Sequence, residues 1–201
     1  WGFDKVYRSA YSPAVPGTGF VDRGDQRLPI RFASEQIRVT LRAGEAAGEL
    51  GRLIVDGLYV LRNQTEATQV STMFYPIPVD ADHPFPSQIK VTGARTKTRA
   101  GGILWRLHLP PRQESAVHVR YEQSCRTPSA RYVLTTTGRW GEALEDATYE
   151  VRWPRVWRDV RVSYDGDLTT EGDQRVLRFT KQDFLPERDL VLTWSPTTHL
   201  P

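Results

Sequence analysis

His108 and His118 lie on either side of Pro110-Pro111, each in a run that alternates apolar and polar residues. In 103–109 the apolar members are Ile103, Trp105, Leu107 and Leu109, so Arg106 and His108 point the other way. In 117–121, Val117, Val119 and Tyr121 share one face and leave His118 and Arg120 on the opposite one. A hairpin symmetric about residue 113 would make the two imidazoles cross-strand neighbours. Two imidazoles on one face begin a metal site, which needs a third and usually a fourth ligand. Asp80, Asp82 and His83 are the candidates, all remote in sequence. Two solvated histidines are the simpler expectation.

A second cluster is acidic. Asp165, Asp167, Glu171 and Asp173 crowd one expected hairpin, with a turn at Asp165-Gly166-Asp167. Calcium takes such oxygens, but the spacing lacks the glycine and terminal glutamate of the helix-loop-helix calcium loop. Turn chemistry alone accounts for it. Trp140 and its neighbour Arg139 stand between Gly138 and Gly141. An indole in such a loop can stack on a sugar or anchor a protein interface, or fold back over the end of the core. Ser71, Ser163 and Ser195 have no nucleophile-elbow context. Cys125 is the single cysteine, so no internal disulfide forms, and a small buried apolar role is expected for it. Glycosidase-type carboxylate pairs remain open, because their geometry is spatial.

These residues must be held by strands. From residue 36 to 194 the chain is a succession of short alternating runs broken by Gly, Pro, Asn and Asp. That texture belongs to antiparallel sheet with one buried face. Ile37, Val39 and Leu41 point one way, and Arg38, Thr40 and Arg42 the other. Residues 53–61 are nearly all apolar, which predicts a central strand buried on both faces, with Gly57 marking a bulge or a close backbone approach. Further strands are expected at 70–75, 89–92, 103–109, 117–121, 132–137, 149–153 and 160–164, and around Leu177, Phe179, Leu190, Leu192 and Trp194. Residues 142–146 read as one helical turn. No βαβ alternation occurs, so parallel pairing is not expected.

The fold class is therefore all-β: an antiparallel β-sandwich, immunoglobulin-like or elaborated, or two packed β-subdomains. Residues 1–35 read as an irregular, aromatic-rich arm packed on the sheet. Residues 36–127 form the sandwich, and 128–201 continue it or make a second small β-subdomain.

The 201 residues carry 27 basic and 24 acidic side chains, interspersed, for a net charge of +3. A nucleic-acid binder would cluster its bases, so nucleic acid is not an expected partner. The outward arginines Arg38, Arg42, Arg106, Arg120, Arg152, Arg161 and Arg178 could still combine into a basic face for an acidic polymer. No phosphate-cradling glycine loop occurs, and no cofactor is implied. No apolar stretch is long enough to span a membrane, so membrane association would need a segment outside this chain. A signal peptide, if there was one, is absent from this chain. Asn63-Gln64-Thr65 matches the N-glycosylation pattern.

The run Gly57-Leu58-Tyr59-Val60-Leu61-Arg62-Asn63-Gln64-Thr65 is followed by Met73-Phe74-Tyr75-Pro76-Ile77-Pro78 and by Gln88-Ile89-Lys90-Val91-Thr92-Gly93. A strand ends in an Asn-x-Thr turn, and the next ends in aromatic-Pro-x-Pro. This resembles the β-sandwich modules at the N-terminus of inter-alpha-trypsin-type proteins, and extracytoplasmic sandwich modules of bacterial proteins of unknown function. Thr137-Gly138-Arg139-Trp140, and Ala147-Thr148-Tyr149 up to Pro154, resemble the second half of such bacterial proteins. The resemblance covers about residues 36–155 and carries no catalytic residues. It implies a periplasmic or extracellular setting. The resulting expectation is a non-catalytic binding or assembly module that presents loops 138–141 and 76–86 to a protein partner. The alternatives are a carbohydrate-binding module using Trp140, and a hydrolase with spatially assembled carboxylates.

Overall fold

The computed structural model describes residues 29–92 and 94–195. Most of the expected N-terminal arm thus lies outside the described residues. Residues 30–35 are not arm at all: they begin the first strand, β1 (Ile30–Arg42). It pairs with β2 (Gly51–Asn63) along its whole length. Next come β3 (Gln69–Pro76), β4 (Gln88–Thr92), β5 (Thr96–Arg99) and β6 (Gly102–Leu109). They are followed by β7 (Glu114–Cys125), β8 (Ser129–Tyr132), β9 (Leu144–Pro154) and β10 (Arg161–Val162). The last three are β11 (Asp167–Glu171), β12 (Gln174–Phe184) and β13 (Leu190–Thr193).

One seven-stranded sheet runs β11-β12-β9-β1-β2-β7-β4, and two three-stranded sheets run β3-β6-β5 and β10-β13-β8. The molecule is a β-sandwich of elaborated form. The large sheet draws on both sides of residue 128, since β9 joins β1. That junction is parallel, from Ser34↔Asp146 to Thr40↔Arg152, so the sheet is mixed rather than purely antiparallel. A parallel pair needs a long crossover, which the intervening strands and small sheets provide with no α-helix among the described residues. Among the described residues no helix is long and apolar enough to cross a membrane.

Alternation decides which face is buried. Ile37, Val39 and Leu41 of β1 lie opposite Gly57, Val55 and Leu53 of β2, and all are buried. Tyr149 and Val151 of β9 and Val119 and Tyr121 of β7 extend the same inner face. The outer face of β2 is only half-buried at Arg52, Asp56, Leu58 and Val60, so that strand is not covered on both sides. The two small sheets cover the inner face side by side. Tyr75 of β3 meets Tyr59 of β2 and Tyr121 of β7, with ring centroids 5.5 and 6.2 Å apart. At the other end Tyr164, just after β10, stacks on Phe179 of β12 at 5.2 Å.

Three local expectations give way. Residues 132–137 leave β8 at Tyr132 and form a 3-10 turn, Thr135–Trp140, ended by Gly141 at φ 75°. Its start is fixed from outside: Asp189 Oδ1 accepts from the Leu134 and Thr135 amides at 3.0 and 3.1 Å and from Thr135 Oγ1 at 2.9 Å. Residues 144–146 are strand, not helical turn. The hairpin of β11 and β12 turns at Gly172, φ 61°, and not at Asp165-Gly166-Asp167.

Candidate functional site

β1 carries one irregularity in its pairing with β2. Phe32 lies opposite Leu61, but Ser34 lies opposite Val60, so one extra residue is accommodated. Strict alternation from Ile30 and Phe32 would turn Ser34 inward and Glu35 outward. The bulge reverses this, and Glu35 joins Phe32 and Ile37 on the buried face. It is 3% exposed.

Around that carboxyl the two small sheets meet. β3 and β8 are edge strands of their own sheets, and they approach each other above β2. Tyr75 from β3 and Tyr132 from β8 both reach Tyr59, whose hydroxyl is 2.8 Å from each of theirs. Gly57 makes room for this. A Cβ there would fall on the Tyr59 hydroxyl. The close approach expected at Gly57 is thus a side chain lying over it, and no bulge occurs there.

The seam between the sheets holds a partly open cavity of about 60 Å³. Glu35 and Tyr59 line its base. Tyr75, Tyr132 and Trp105 line the small-sheet side, and Phe32 and Trp140 the side of the 3-10 turn. Trp140 is half-buried against the core, its ring 5.8 Å from Phe32. The indole expected to project from a loop has folded back to wall a cavity. The side chain of Arg139 lies outside the described residues.

Burial raises the Glu35 carboxyl to about 7, and the hydroxyl of Tyr149, which donates to its Oε1, only partly offsets this. Burial likewise holds Tyr59, Tyr75 and Tyr132 well above the ordinary phenol range. Tyr75 and Tyr132 also hydrogen-bond to each other, so the three hydroxyls satisfy one another's hydrogens and keep lone pairs free to accept. Trp105 Nε1–H, also in the wall, has no partner among the described residues. A buried carboxyl, the Trp105 N–H and aromatic faces therefore converge on one small space.

The other expected sites disperse. β6 and β7 belong to different sheets, so no hairpin forms about residue 113. His108 lies opposite Val70, and His118 lies opposite Leu58 and Thr92, with Nε2 2.7 Å from Asp56 Oδ1. The cause is the connection: prolines 110 and 111 offer no amide to a ladder, and Asn63 Nδ2 binds the carbonyls of Leu109 and Pro110 as the chain crosses. His83 is engaged through both ring nitrogens, with Asp80 Oδ1 at 2.8 Å and the Ser129 carbonyl at 2.9 Å. The acidic hairpin is split as well. Asp167 pairs with Arg178 while Asp173 sits at the turn beside Gln174, about 13 Å along the strand. Among the described residues no three His, Cys, Asp or Glu side chains gather as a metal site would require.

The expected basic face is divided: Arg106 and Arg161 lie in other sheets, and Arg38, Arg152 and Arg178 are neutralised. Glu150 on β9 receives Arg38 at 2.7 Å, Arg152 at 2.6 Å and Arg178 at 2.7 Å. Glu171 takes the remaining arms of Arg152 and Arg178, at 3.0 and 2.6 Å. Arg152, opposed by partial burial and helped by Arg38 and Arg178, holds the Glu150 carboxyl down at about 2. Ser163 Oγ is spent on the backbone of Asp189 and Val191. Asn63 is 1% exposed with its amide bonded to three carbonyls, which removes it as a glycan acceptor in the folded protein. Cys125 is buried, as expected, and burial pushes its thiol up to about 12.

Glu35 was within reach of sequence reasoning. The inward parity of Ile37, Val39 and Leu41, extended back one step, lands on it. A carboxylate on an apolar parity is the signal. The tyrosines that surround it come from four strands, and no sequence spacing joins them.

The fold has solved neighbours. A candidate nutrient-binding protein from Legionella pneumophila superposes with a TM-score of 0.62 at 16% identity, over 83% of this chain and 67% of its own. An M1 zinc metallopeptidase from Deinococcus radiodurans superposes with a TM-score of 0.49 at 15% identity, over 84% of this chain and 43% of its own. These likenesses are of fold, and this chain spans less than half of the peptidase. No protein family matches the sequence. No curated protein matches it either.

Proposed function

We propose that this chain is a binding module without chemistry of its own, acting outside the cytoplasm, whose seam cavity receives a small group of a ligand or partner. One observation carries the reading: a buried carboxyl stands at the base of a solvent-open cavity with aromatic walls, on a rigid sheet. Convergent polar groups in an apolar concavity are what ligand sites share. A binding role is in keeping with the name of the Legionella neighbour. The hydrolase alternative gains no support here, because among the described residues Glu35 is the single carboxyl lining the cavity, where glycoside hydrolysis uses a pair. The carbohydrate alternative loses the exposed platform it needs: Trp140 is half-buried with its ring packed against Phe32. The loops at 138–141 and 76–86 flank this reading as the surface that a protein partner would touch.

The test is ¹⁵N NMR of the six indoles during titration with small amines, alcohols, carboxylates and monosaccharides. At least one class should shift Trp140 and Trp105 together, saturably, and Trp140→Ala should weaken that binding at least tenfold. If no class moves either indole, the reading is refuted.

A further inference from the structure

We infer that the seam cavity is a receptor for the ammonium end of a primary amine, with Glu35 as its counter-charge and the rings of Phe32, Trp140 and Tyr59 as its walls. This rests on the reading of the cavity as a ligand site. Charge is the first support. Among the described residues one carboxyl lines the cavity, and no Lys, Arg or His does. A cation gains there from the carboxylate and from aromatic faces at once. Phe32 makes a corner with Trp140 and Tyr59, at centroid separations of 5.8 and 6.1 Å and tilts of 55° and 42°. Hydroxyl oxygens of the Tyr75-Tyr59-Tyr132 chain stand by as further acceptors for N–H groups.

Size is the second support. Scaled against a cavity of roughly 150 Å³ for benzene, about 60 Å³ holds two or three heavy atoms. That fits CH₂–NH₃⁺ better than a trimethylammonium head. The amine could be a free metabolite or a lysine of a partner protein, and the chemistry at the cavity is the same.

Proton linkage is the third. Without a guest, Glu35 is raised to about 7 by burial. The groups that face it are Tyr149 of β9, Tyr59 of β2, Tyr75 of β3 and Tyr132 of β8, all kept protonated by burial. A cation binds the ionised carboxyl, so capture below pH 7 must expel the carboxyl proton to solvent. Affinity should therefore fall about tenfold for each pH unit below about 7 and level off above it.

Calorimetry and indole NMR test this at pH 5.5, 6.5 and 8, with n-butylamine, a lysine-containing peptide, 1-butanol and acetate as probes. The expected result is saturable binding of n-butylamine, of the peptide, or of both, with proton release at pH 5.5 and the stated pH slope. Preference for the free amine or for the peptide tells which source the cavity serves. Glu35→Gln should reduce amine binding at least tenfold at pH 8. Tyr149→Phe, which removes only the hydroxyl that steadies the carboxylate, should move the midpoint of the pH profile upward. The Trp105 N–H, unpartnered among the described residues, would suit an anion. Acetate binding that strengthens as pH falls, with no amine binding, overturns the amine assignment and leaves the ligand-site reading standing. Butanol binding equal to butylamine at every pH overturns it in the same way. Silence of Trp140 and Trp105 with all four probes overturns the amine assignment, and silence across the wider ligand panel removes the ligand-site reading as well.

Discussion

Glu35→Gln should make the protein more stable above neutrality and leave it unchanged in mild acid. Burial raises the Glu35 carboxyl from an ordinary 4.5 to about 7 in the folded state. Between those pH values the folded chain holds a proton that the unfolded chain has released. Stability therefore falls as pH rises from about 4.5 to about 7, and is flat beyond. The full change corresponds to about 3 kcal/mol. Glutamine still accepts from the Tyr149 hydroxyl but cannot ionise, so the variant should lack this fall. At pH 4.5 parent and variant should unfold at similar urea concentrations. At pH 8 the variant should be favoured by up to about 3 kcal/mol, or about 6–12 °C in Tm for a chain of this size. Two other carboxyls do not interfere. Glu150 and Glu49 are each held at about 2, so their contributions are lost below pH 4.5 and are constant across the window. The assay is urea unfolding followed by tryptophan fluorescence at pH 4.5, 6 and 8. Parallel pH profiles for parent and variant would refute the claim that Glu35 is buried and uncompensated.

Three more outcomes follow from the packing. Glu150→Gln leaves Arg38, Arg152 and Arg178 clustered around a neutral group, and should cost about 1–3 kcal/mol at pH 7. Because the folded carboxyl titrates near 2, that cost should shrink as pH falls from 4.5 towards 2, read as converging urea midpoints. Gly57→Ala pushes the Tyr59 hydroxyl out of its bonds to Tyr75 and Tyr132, and should cost about 1–3 kcal/mol with a weakened near-ultraviolet tyrosine signal. Cys125, buried and with its thiol raised to about 12, should resist a disulfide reagent at pH 8 in the native protein and react fully in concentrated urea.

The sequence by itself determined the strands and their faces wherever alternation was unbroken. Ile37-Val39-Leu41, Ile103-Trp105-Leu107 and Val117-Val119-Tyr121 are all buried on the side that alternation assigns. A period of two is a local property, and burial of one face enforces it. It also placed Cys125 in the core. Only the tertiary structure decided which strands are neighbours. β1 beside β9 in parallel, and β6 parted from β7, follow from chain crossings that no local pattern records. That is why the His108–His118 pair dissolved and why three of the outward arginines, Arg38, Arg152 and Arg178, proved to be bound to Glu150. Thr135 and its neighbours, strand-forming by type, became a 3-10 turn because Asp189 takes their amides. The cavity lay furthest from sequence reach. It needs the β1 bulge that turns Glu35 inward, the bare Gly57 that lets Tyr59 lie flat, and two sheet edges that stop short of pairing. Each is a small local departure from regular strand. Burial in the folded molecule converts the three together into one carboxyl under aromatic walls.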